Sequence, residues 1–450
     1  MRDTGVQLKA REVALRVLGA YRRNKVWPDL SLSAIEANSG MPPAETALAT
    51  KLVYGVMQNM ALCDFYAASF SSIDLKKLEP RVLDILRLSI YQIAFLTKIP
   101  HRAAVNEAVT LARKHSNPRA AGYLNAVLRK VSMAASAGEL PEITGDNEHI
   151  LSVRYSHPLW LTTELCKLLG QDGAEALLKA NNSSDMPLTA QINSLLTDTE
   201  KVIRLLQSDG VKALSHEWLE NCVEMSETGN LTSLKAFKNG HIYIQDVASR
   251  LAVIAANPSR GSFVVDGCAA PGGKSFAAAM MMGNHGRIVA CDIHNTKLRL
   301  IETGAKRLGI KIIELYEKDS SEQIDEFKGK ADVVLADVPC SGFGVIRKKP
   351  EIRYKTMEEV APLQELQKRI IKSLSSCVAP GGVLLYSTCS VMRRENEDVT
   401  EWFLSSEQGQ FVSEGFTLPG IGEIPGGMIT LWPHINGTDG FFICKLRRKR

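Results

Sequence analysis

Short apolar runs alternate with helical segments through the second half of the chain, and this alternation constrains the fold more than any other feature. The runs are His241 to Gln245, Phe263 to Asp266, Arg287 to Asp292, Ile312 to Leu315, Asp332 to Asp337 and Val383 to Ser387. Strands that alternate with helices usually form a mainly parallel sheet with helices on both faces. The pattern therefore predicts a doubly wound α/β domain.

The first part of the chain has helical periodicity instead. From about residue 8 to 133, apolar residues such as Val82, Leu86 and Ile90 recur on one helix face. This spacing predicts an all-α domain. The small residues of 134–138, followed by Pro141, predict a linker.

The sequence between these two regions has a mixed pattern. Residues 150 to 237 mix helical candidates, Trp160 to Leu169 and Ala174 to Leu178, with the strand-like run Leu188 to Ile192. We expect a small α+β module here. The predicted domains are thus 1–140, 141–237 and 238–450.

Composition sets the class of protein. Of 450 residues, 45% are hydrophobic and 23% are charged, as in ordinary globular proteins, and the net charge of +5 permits a nucleic-acid partner without requiring one. The nine cysteines include no CxxC pair, and the sequence has neither a secretory leader nor a stretch of about 20 apolar residues. We expect a cytoplasmic protein with free thiols, no metal site and no membrane partner; a monomer is favoured, although the sequence does not fix the oligomeric state.

A glycine-rich turn follows the predicted strand 263–266. It reads Asp266-Gly267-Cys268-Ala269-Ala270-Pro271-Gly272-Gly273-Lys274. Glycines allow the backbone to approach a ligand closely, and amide groups at the start of the next helix can hold an anionic group. Pro271 departs from the GxGxxG pattern, which argues against NAD. A tight turn without a ligand is the alternative.

Two aspartates follow the next strands. Asp292 lies some 20 residues after the glycines, where a carboxylate can accept hydrogen bonds from a ribose diol. Asp319 is placed to meet an adenine edge. The alternative for each is a helix cap.

Two cysteines also follow predicted strands, Cys340 in Asp-Val-Pro-Cys-Ser-Gly and Cys389 in Tyr-Ser-Thr-Cys-Ser. A thiolate can add to carbon 6 of a cytosine, which activates carbon 5 for methylation, and can leave again by elimination. Asp337 could hydrogen-bond the base and stabilise the charge that develops. These residues alone do not distinguish the roles of the two thiols. For the other cysteines we expect small buried apolar side chains or, at Cys268, a backbone role in the turn.

The segment Arg347 to Tyr354 carries four cations and an aromatic residue shortly after Cys340. We expect it to lie at the mouth of the ligand crevice, where it could hold phosphates and stack a base. A solvated surface segment is the alternative.

Taken together, these motifs resemble a known family. The segments DGCAAPGGKS, DVPCSGFGVIRKKPEI and YSTCSVMRRENE are similar to the motifs of RNA 5-methylcytosine methyltransferases, and the continuation GVIRKKPEI resembles the bacterial branch that acts on 16S ribosomal RNA. Residues 10–131 are similar to the NusB RNA-binding domain. The resemblance covers nearly the whole chain and implies a Rossmann-like catalytic domain.

The resemblance also implies the roles of individual residues. Cys389 is implied to attack carbon 6, Cys340 to assist product release, and Asp337 to contact both base and cofactor. The implied S-adenosylmethionine pocket consists of Cys268, Ala269, Ala270, Pro271, Gly272, Gly273, Lys274, Asp292, Asp319 and Asp337. The implied substrate is a cytosine of 16S rRNA, at position 967.

Three alternatives stay open. A DNA cytosine methyltransferase would use the cysteine of the Pro-Cys motif as its nucleophile, which here is Cys340. A relative could methylate transfer RNA or 23S rRNA at the same carbon. A non-catalytic NusB-like RNA-binding factor would bind RNA without S-adenosylmethionine.

Overall fold

The computed structural model describes residues 9–183, 187–407 and 409–450. The chain forms two compact units, one made of the described residues up to Asn182 together with Lys348–Tyr354, the other of residues 183–347 and 355–450. Within the described ranges, no helix is long and apolar enough to cross a bilayer. The same residues include no cluster of His, Cys, Asp or Glu arranged to hold a metal ion.

The first unit is helical, which confirms the predicted all-α N-terminal region. Its helices are α1 (Ala10–Asn24), α2 (Pro28–Ser39), α3 (Pro43–Gln58), α4 (Met60–Phe70), α5 (Pro80–Phe95), α6 (His101–His115), α7 (Pro118–Ala137), α8 (Asn147–Arg154) and α9 (Leu159–Asn181). Proline begins α2, α3, α5 and α7, where its missing amide proton costs no helical hydrogen bond. Leu52, Leu86, Ile90 and Leu124 are fully buried in the shared core.

The linker predicted at 134–138 is mostly helix. Helix α7 continues through Ala137 and ends where Gly138 adopts a left-handed conformation, with φ of +75°. Alanine has the highest helix propensity, so a run of small residues extended the helix instead of breaking it.

The second unit begins with a four-stranded antiparallel sheet of order β2-β3-β1-β4. Its elements are β1 (Leu188–Ile192), α10 (Thr199–Ser208), β2 (Lys212–Ser215), β3 (Cys222–Ser226), α11 (Lys235–Lys238) and β4 (Ile242–Ile244). The predicted strand at 188–192 is confirmed. The run at 241–245 also forms a strand, but it pairs antiparallel with β1 and does not join the parallel sheet as predicted. Pairing order depends on contacts distant in sequence, which a local pattern does not specify.

The rest of the second unit contains the large sheet. Its elements are α12 (Val247–Ala256), β5 (Phe263–Asp266), α13 (Gly273–Met281), β6 (Arg287–Asp292), α14 (Asn295–Leu308), β7 (Ile313–Glu317), β8 (Ala331–Asp337), α15 (Met357–Ser375), β9 (Val378–Thr388), α16 (Glu397–Ser406), β10 (Phe411–Ser413), β11 (Phe416–Leu418), β12 (Gly422–Ile424), β13 (Met428–Leu431), α17 (Pro433–Asn436) and β14 (Phe441–Arg448).

Strand order in this sheet locates the ligand crevice. The order is β10-β14-β9-β8-β5-β6-β7, with β13 also paired to β14, and strands β5 to β9 are mutually parallel. From β5 the chain winds outward through β6 and β7, then returns to the opposite side of β5 with β8. The order therefore reverses between β5 and β8, and open α/β sheets bind ligands at the carboxyl ends of strands at such a point. This confirms the predicted doubly wound α/β class.

Candidate active site

The loops after β8 and β9 bring the two predicted cysteines together. The sulfur atoms of Cys340 and Cys389 are 3.2 Å apart, and both side chains are half-buried. The two loops are joined by backbone bonds, since Gly344 N donates to Cys389 O at 2.9 Å. We call residues 338–344 the β8 loop and residues 389–392 the β9 loop. The six cysteines expected to be apolar core residues are all buried: Cys63, Cys166, Cys222, Cys291, Cys377 and Cys444.

The surroundings of Cys340 keep it protonated. A hydrogen bond to Cys389 and desolvation by the surrounding protein hold the pKa of the Cys340 thiol well above its ordinary value. As a protonated thiol, Cys340 has an S–H group that can donate to the sulfur of Cys389, and its own sulfur can also accept.

Asp337, the last residue of β8, joins the cysteine loops to the glycine turn. Its Oδ2 accepts a hydrogen bond from Lys274 Nζ at 2.7 Å, and its Oδ1 accepts one from Ser387 Oγ at 2.8 Å. Lys274 also donates to Ser249 Oγ at 2.9 Å, and its side chain is 9% exposed. The lysine thus orients the Asp337 carboxylate and does not extend into open solvent.

The glycine turn leads directly into α13, which begins at Gly273. Gly272 has φ of +109°, and a Cβ there would lie 2.5 Å from the ring of Phe276, so only glycine fits. A Cβ at Gly267 would lie 2.3 Å from a methyl group of Leu374, which explains a glycine at that position as well. The first amide groups of α13 have no partner within the helix and face the switch point, where they suit a carboxylate.

Asp292 ends β6 and Asp319 follows β7, the strands beside this turn. Asp292 Oδ1 accepts from His294 N at 2.9 Å, and Asp319 Oδ1 accepts from Ser321 N at 2.8 Å. Each aspartate therefore shapes its own loop with one oxygen of the carboxylate, but neither caps a helix. Both are half-buried at the same edge of the sheet as the turn.

Two further side chains of the turn, Asp266 and Cys268, have pKa values raised by burial. Burial raises the pKa of Asp266 to about 6, although Ser275 Oγ donates to its Oδ2 at 2.6 Å. Its Oδ1 is buried without a hydrogen-bond partner among the described residues, so the turn has unused acceptor capacity. Burial also holds the pKa of Cys268 well above its ordinary value, which agrees with a backbone role for that residue.

The structure adds residues that the sequence reasoning missed. Ser387 orients Asp337, Lys355 Nζ donates to Ser341 O at 2.7 Å, and the buried carboxylate of Glu395 contacts both cysteine loops. Glu395 lies six residues after Cys389, within a segment already recognised as a motif. An acidic residue so close in sequence to a reactive thiol is the signal by which Glu395 could have been found.

The segment Arg347 to Tyr354 is only partly exposed. Lys348 and Lys349 are exposed, so a phosphate-binding role for them stays a prediction, whereas the side chains of Arg347 and Arg353 are buried. Arg347 pairs with Asp439 at 3.2 Å, with both side chains under 10% exposed. Residues 348–354 belong to the helical unit, where Arg353 is fully buried and donates to Gln58 O at 3.1 Å and to Asn182 Oδ1 at 2.8 Å. Tyr354 Oη donates to Met57 O at 2.6 Å. Buried carbonyl oxygens, which sequence patterns do not reveal, satisfy these polar groups.

Comparison with known proteins identifies the family. The model for 16S rRNA methyltransferase RsmB/F matches residues 253–447, the model for the NusB family matches residues 8–133, and the model for the ferredoxin-like domain of RsmF/B-like methyltransferases matches residues 157–232. The probable ribosomal RNA small subunit methyltransferase B of Bacillus subtilis (strain 168) is 33% identical over 448 residues, 98% of each chain. The chain belongs to the RsmB/F family.

Other members agree. The probable ribosomal RNA small subunit methyltransferase B of Synechocystis is 30% identical, covering 98% of this chain and 100% of its own. Among solved structures, PH0851 superposes with a TM-score of 0.80 at 26% identity, covering 98% of this chain and 100% of its own. As an RsmB/F family member, this protein is an S-adenosylmethionine-dependent rRNA methyltransferase, which confirms the predicted family, enzyme class and cofactor.

Proposed function

We propose that this enzyme methylates carbon 5 of a cytosine in 16S rRNA through a transient bond between Cys389 Sγ and carbon 6. The supporting observation is the 3.2 Å contact between two thiols at the carboxyl edge of the sheet, beside the glycine turn. A single thiol would serve many chemistries. A pair in contact, one held protonated, suits a reaction that must both add a sulfur to a base and remove it.

The first step forms the bond that activates the base. Carbon 5 of cytosine is a poor nucleophile until a thiolate adds to carbon 6, because that addition breaks the aromaticity of the ring. Cys389 supplies the thiolate, stabilised by the S–H donor of Cys340. Asp337, held by Lys274 and Ser387, accepts hydrogen bonds from the exocyclic amine and from ring N3 once it is protonated.

The second step transfers the methyl group and releases the product. S-adenosylmethionine supplies an electrophilic methyl group when bound. Carbon 5 takes the methyl group, and a water molecule then accepts the proton on carbon 5. The electrons of the C5–H bond restore the C5–C6 double bond, and the electrons of the Sγ–C6 bond leave with the sulfur. Cys340 lies against the departing sulfur and stabilises it as a thiolate, in agreement with a role in release.

The residues at the switch point suit the cofactor. The start of α13 offers amide groups that suit the carboxylate of the donor, and Asp292 lies at the end of the adjacent strand, where we propose that it accepts hydrogen bonds from the ribose diol. Asp319 follows β7, and we propose that it contacts the adenine. We propose the predicted pocket, Cys268 to Lys274 with Asp292, Asp319 and Asp337, as the binding site.

The printed names of the relatives support the small ribosomal subunit as the source of the substrate. We propose position 967 as the target, as the motif resemblance implies, in preference to transfer RNA, 23S rRNA or DNA. Loop cytosines are readily unstacked and inserted into a pocket. The domain boundaries after residues 140 and 237, the monomeric state and the cytoplasmic location also stay predictions.

The proposal is tested by incubating the enzyme with 16S rRNA and S-adenosylmethionine, then digesting the RNA and measuring 5-methylcytidine by mass spectrometry. RNA containing 5-fluorocytidine is expected to trap a covalent complex, because fluorine cannot leave carbon 5 as a cation. Cys389→Ala should form no complex, while Cys166→Ala, in the helical unit, should behave as wild type. Methylation of another base or another atom would refute the proposal, and bisulfite sequencing of rRNA from a deletion strain would locate the nucleotide.

A further inference from the structure

The carboxylate of Glu395 lies between the two cysteine loops. Its side chain is fully buried, in the short 3-10 turn Arg393–Glu395. Glu395 Oε2 accepts hydrogen bonds from Ser341 Oγ and Ser390 Oγ, each at 2.5 Å. Ser341 directly follows Cys340, and Ser390 directly follows Cys389. One oxygen atom therefore contacts the neighbour of each thiol.

The second carboxylate oxygen holds the β8 loop from another side. Glu395 Oε1 accepts from Ser341 N at 2.8 Å and from Gln367 Nε2 at 3.0 Å. Gln367 Nε2 also donates to Pro339 O at 3.0 Å, so the residues before and after Cys340 are both fixed. Tyr386 Oη donates to Glu395 O at 2.6 Å, which anchors the turn to β9.

This set of contacts needs an acceptor with two oxygens. Each serine hydroxyl has one proton and gives it to the carboxylate, while Ser390 Oγ accepts from Met392 N at 3.2 Å. Hydrogen bonds to a carboxylate are short and roughly twice as strong as neutral ones. Removing the carboxylate would leave buried donors unsatisfied and the two loops free to separate.

We propose that Glu395 is a positioning residue that sets the separation of the two reactive sulfur atoms by tying Ser341 and Ser390 to one oxygen. The inference rests on the proposed function, in which both thiols act in turn on the same cytosine. Glu395 does not contact the base. A displacement of about 1 Å would take Cys340 out of hydrogen-bond reach of Cys389 and slow release of the product.

The separation can be tested without RNA. Phenylarsine oxide bridges two adjacent thiols, forming two As–S bonds and releasing water, and the bridged protein is measured by intact mass with loss of two free thiols. Wild type should bridge Cys340 and Cys389 rapidly. Glu395→Asp, whose side chain is one methylene shorter and cannot reach both loops, should bridge about tenfold more slowly. Glu302→Gln, an exposed change on helix α14, is the matched control and should bridge as wild type.

The catalytic consequence is a change in the ratio of covalent adduct to product. With ordinary 16S rRNA, Glu395→Asp should lower turnover about tenfold and raise the fraction of protein bound covalently to RNA at steady state. Glu395→Gln should retain more turnover than Glu395→Asp, because glutamine keeps the length and its amide can donate to the two hydroxyls. Loss of folded protein would lower adduct and product in proportion, so the ratio separates positioning from stability.

A second variant with a smaller change keeps the test valid if Glu395→Asp does not fold. Ser390→Ala removes one of the two hydroxyl contacts, and it should shift bridging rate and adduct ratio in the same direction by a smaller factor. Unchanged bridging and an unchanged ratio in Glu395→Asp, or in Ser390→Ala if Glu395→Asp does not fold, would overturn the role of Glu395. A wild-type enzyme that forms no adduct and no 5-methylcytidine would overturn the proposed function, and with it the catalytic part of this inference, whereas the bridging measurement would still report on the geometry.

Discussion

The β8 loop and the β9 loop carry the same reactive group in similar sequences, yet their surroundings differ. Each loop follows a parallel strand and places a cysteine before a serine. The thiol of the β8 loop, Cys340, has a pKa well above its ordinary value because it is hydrogen-bonded to Cys389 and desolvated. The two motifs themselves are too similar to predict this difference. The environment of Cys340, and not its motif, therefore keeps its thiol protonated.

The largest expected effect is at the β9 loop. Cys389→Ala removes the nucleophile, and methyl transfer should fall by about 10⁴-fold or more, since the activation of carbon 5 has no substitute. Radiolabel transfer from methyl-labelled donor to 16S rRNA measures the rate. Residual activity within tenfold of wild type would contradict the proposed difference between the two thiols, because Cys340 would then be able to replace Cys389.

The matched change at the β8 loop should have a different character. Cys340→Ala should slow multiple turnover by about 10²-fold, in the range typical of a lost proton donor, while the enzyme still forms one covalent bond to RNA per molecule. Denaturing gel electrophoresis of the protein with labelled RNA measures this adduct. Adduct loss in Cys340→Ala with adduct retention in Cys389→Ala would reverse the two roles.

Alkylation rates test the raised pKa of Cys340 without any mutation. Because the pKa of Cys340 is raised, its thiol stays protonated at pH 7 to 8 and forms thiolate only well above pH 9. Iodoacetamide reacts with the thiolate, so at pH 7.5 Cys340 should be modified at least about tenfold more slowly than the cysteine of an unstructured peptide, and the difference should shrink as the pH rises. Peptide mass spectrometry gives both rates. Equal rates at pH 7.5 would show that the pKa of Cys340 is not raised.

The smallest expected effect concerns how the two loops are joined. A Cβ at Gly344 would lie 1.8 Å from Gly440 O, so Gly344→Ala must move the β8 loop away from Cys389, whose carbonyl Gly344 N contacts. We expect a loss of about 1–3 kcal/mol in the free energy of unfolding and a several-fold lower turnover. Thermal unfolding and steady-state rates measure these, with Gly426→Ala as control because its Cβ would meet no atom within 4 Å. A fully active, stable Gly344→Ala enzyme would show that the spacing of the loops is not critical.

Much of the fold followed from local patterns. The strand runs at 263–266, 287–292 and 188–192 match β5, β6 and β1 residue for residue, because apolar runs bounded by turn residues carry a strong local signal. The strand at 242–244 formed as expected but joined a different sheet, since its partner β1 lies some 50 residues away. Local periodicity specifies that a strand forms, and long-range packing specifies with what it pairs.

The candidate site shows the same division. Sequence motifs named Cys340, Cys389, Asp337 and the glycine turn, and the sheet brings them to one edge, as strand-end positions require. Motifs missed Glu395, whose importance lies entirely in the loops that it touches. They also misplaced Arg353, which reads as a free cation in sequence and is buried against carbonyl oxygens in the helical unit.

The sequence by itself determined the family, the fold class and the candidate catalytic side chains, because these depend on residue type and spacing. Only the tertiary structure decided which thiol stays protonated, which carboxylate joins the two cysteine loops, and which cations are withdrawn from solvent. The physical reason is that pKa, hydrogen bonding and burial are set by atoms close in space. For this site, those atoms come from strands and turns distant in sequence, as the Lys274–Asp337 contact across 63 residues illustrates.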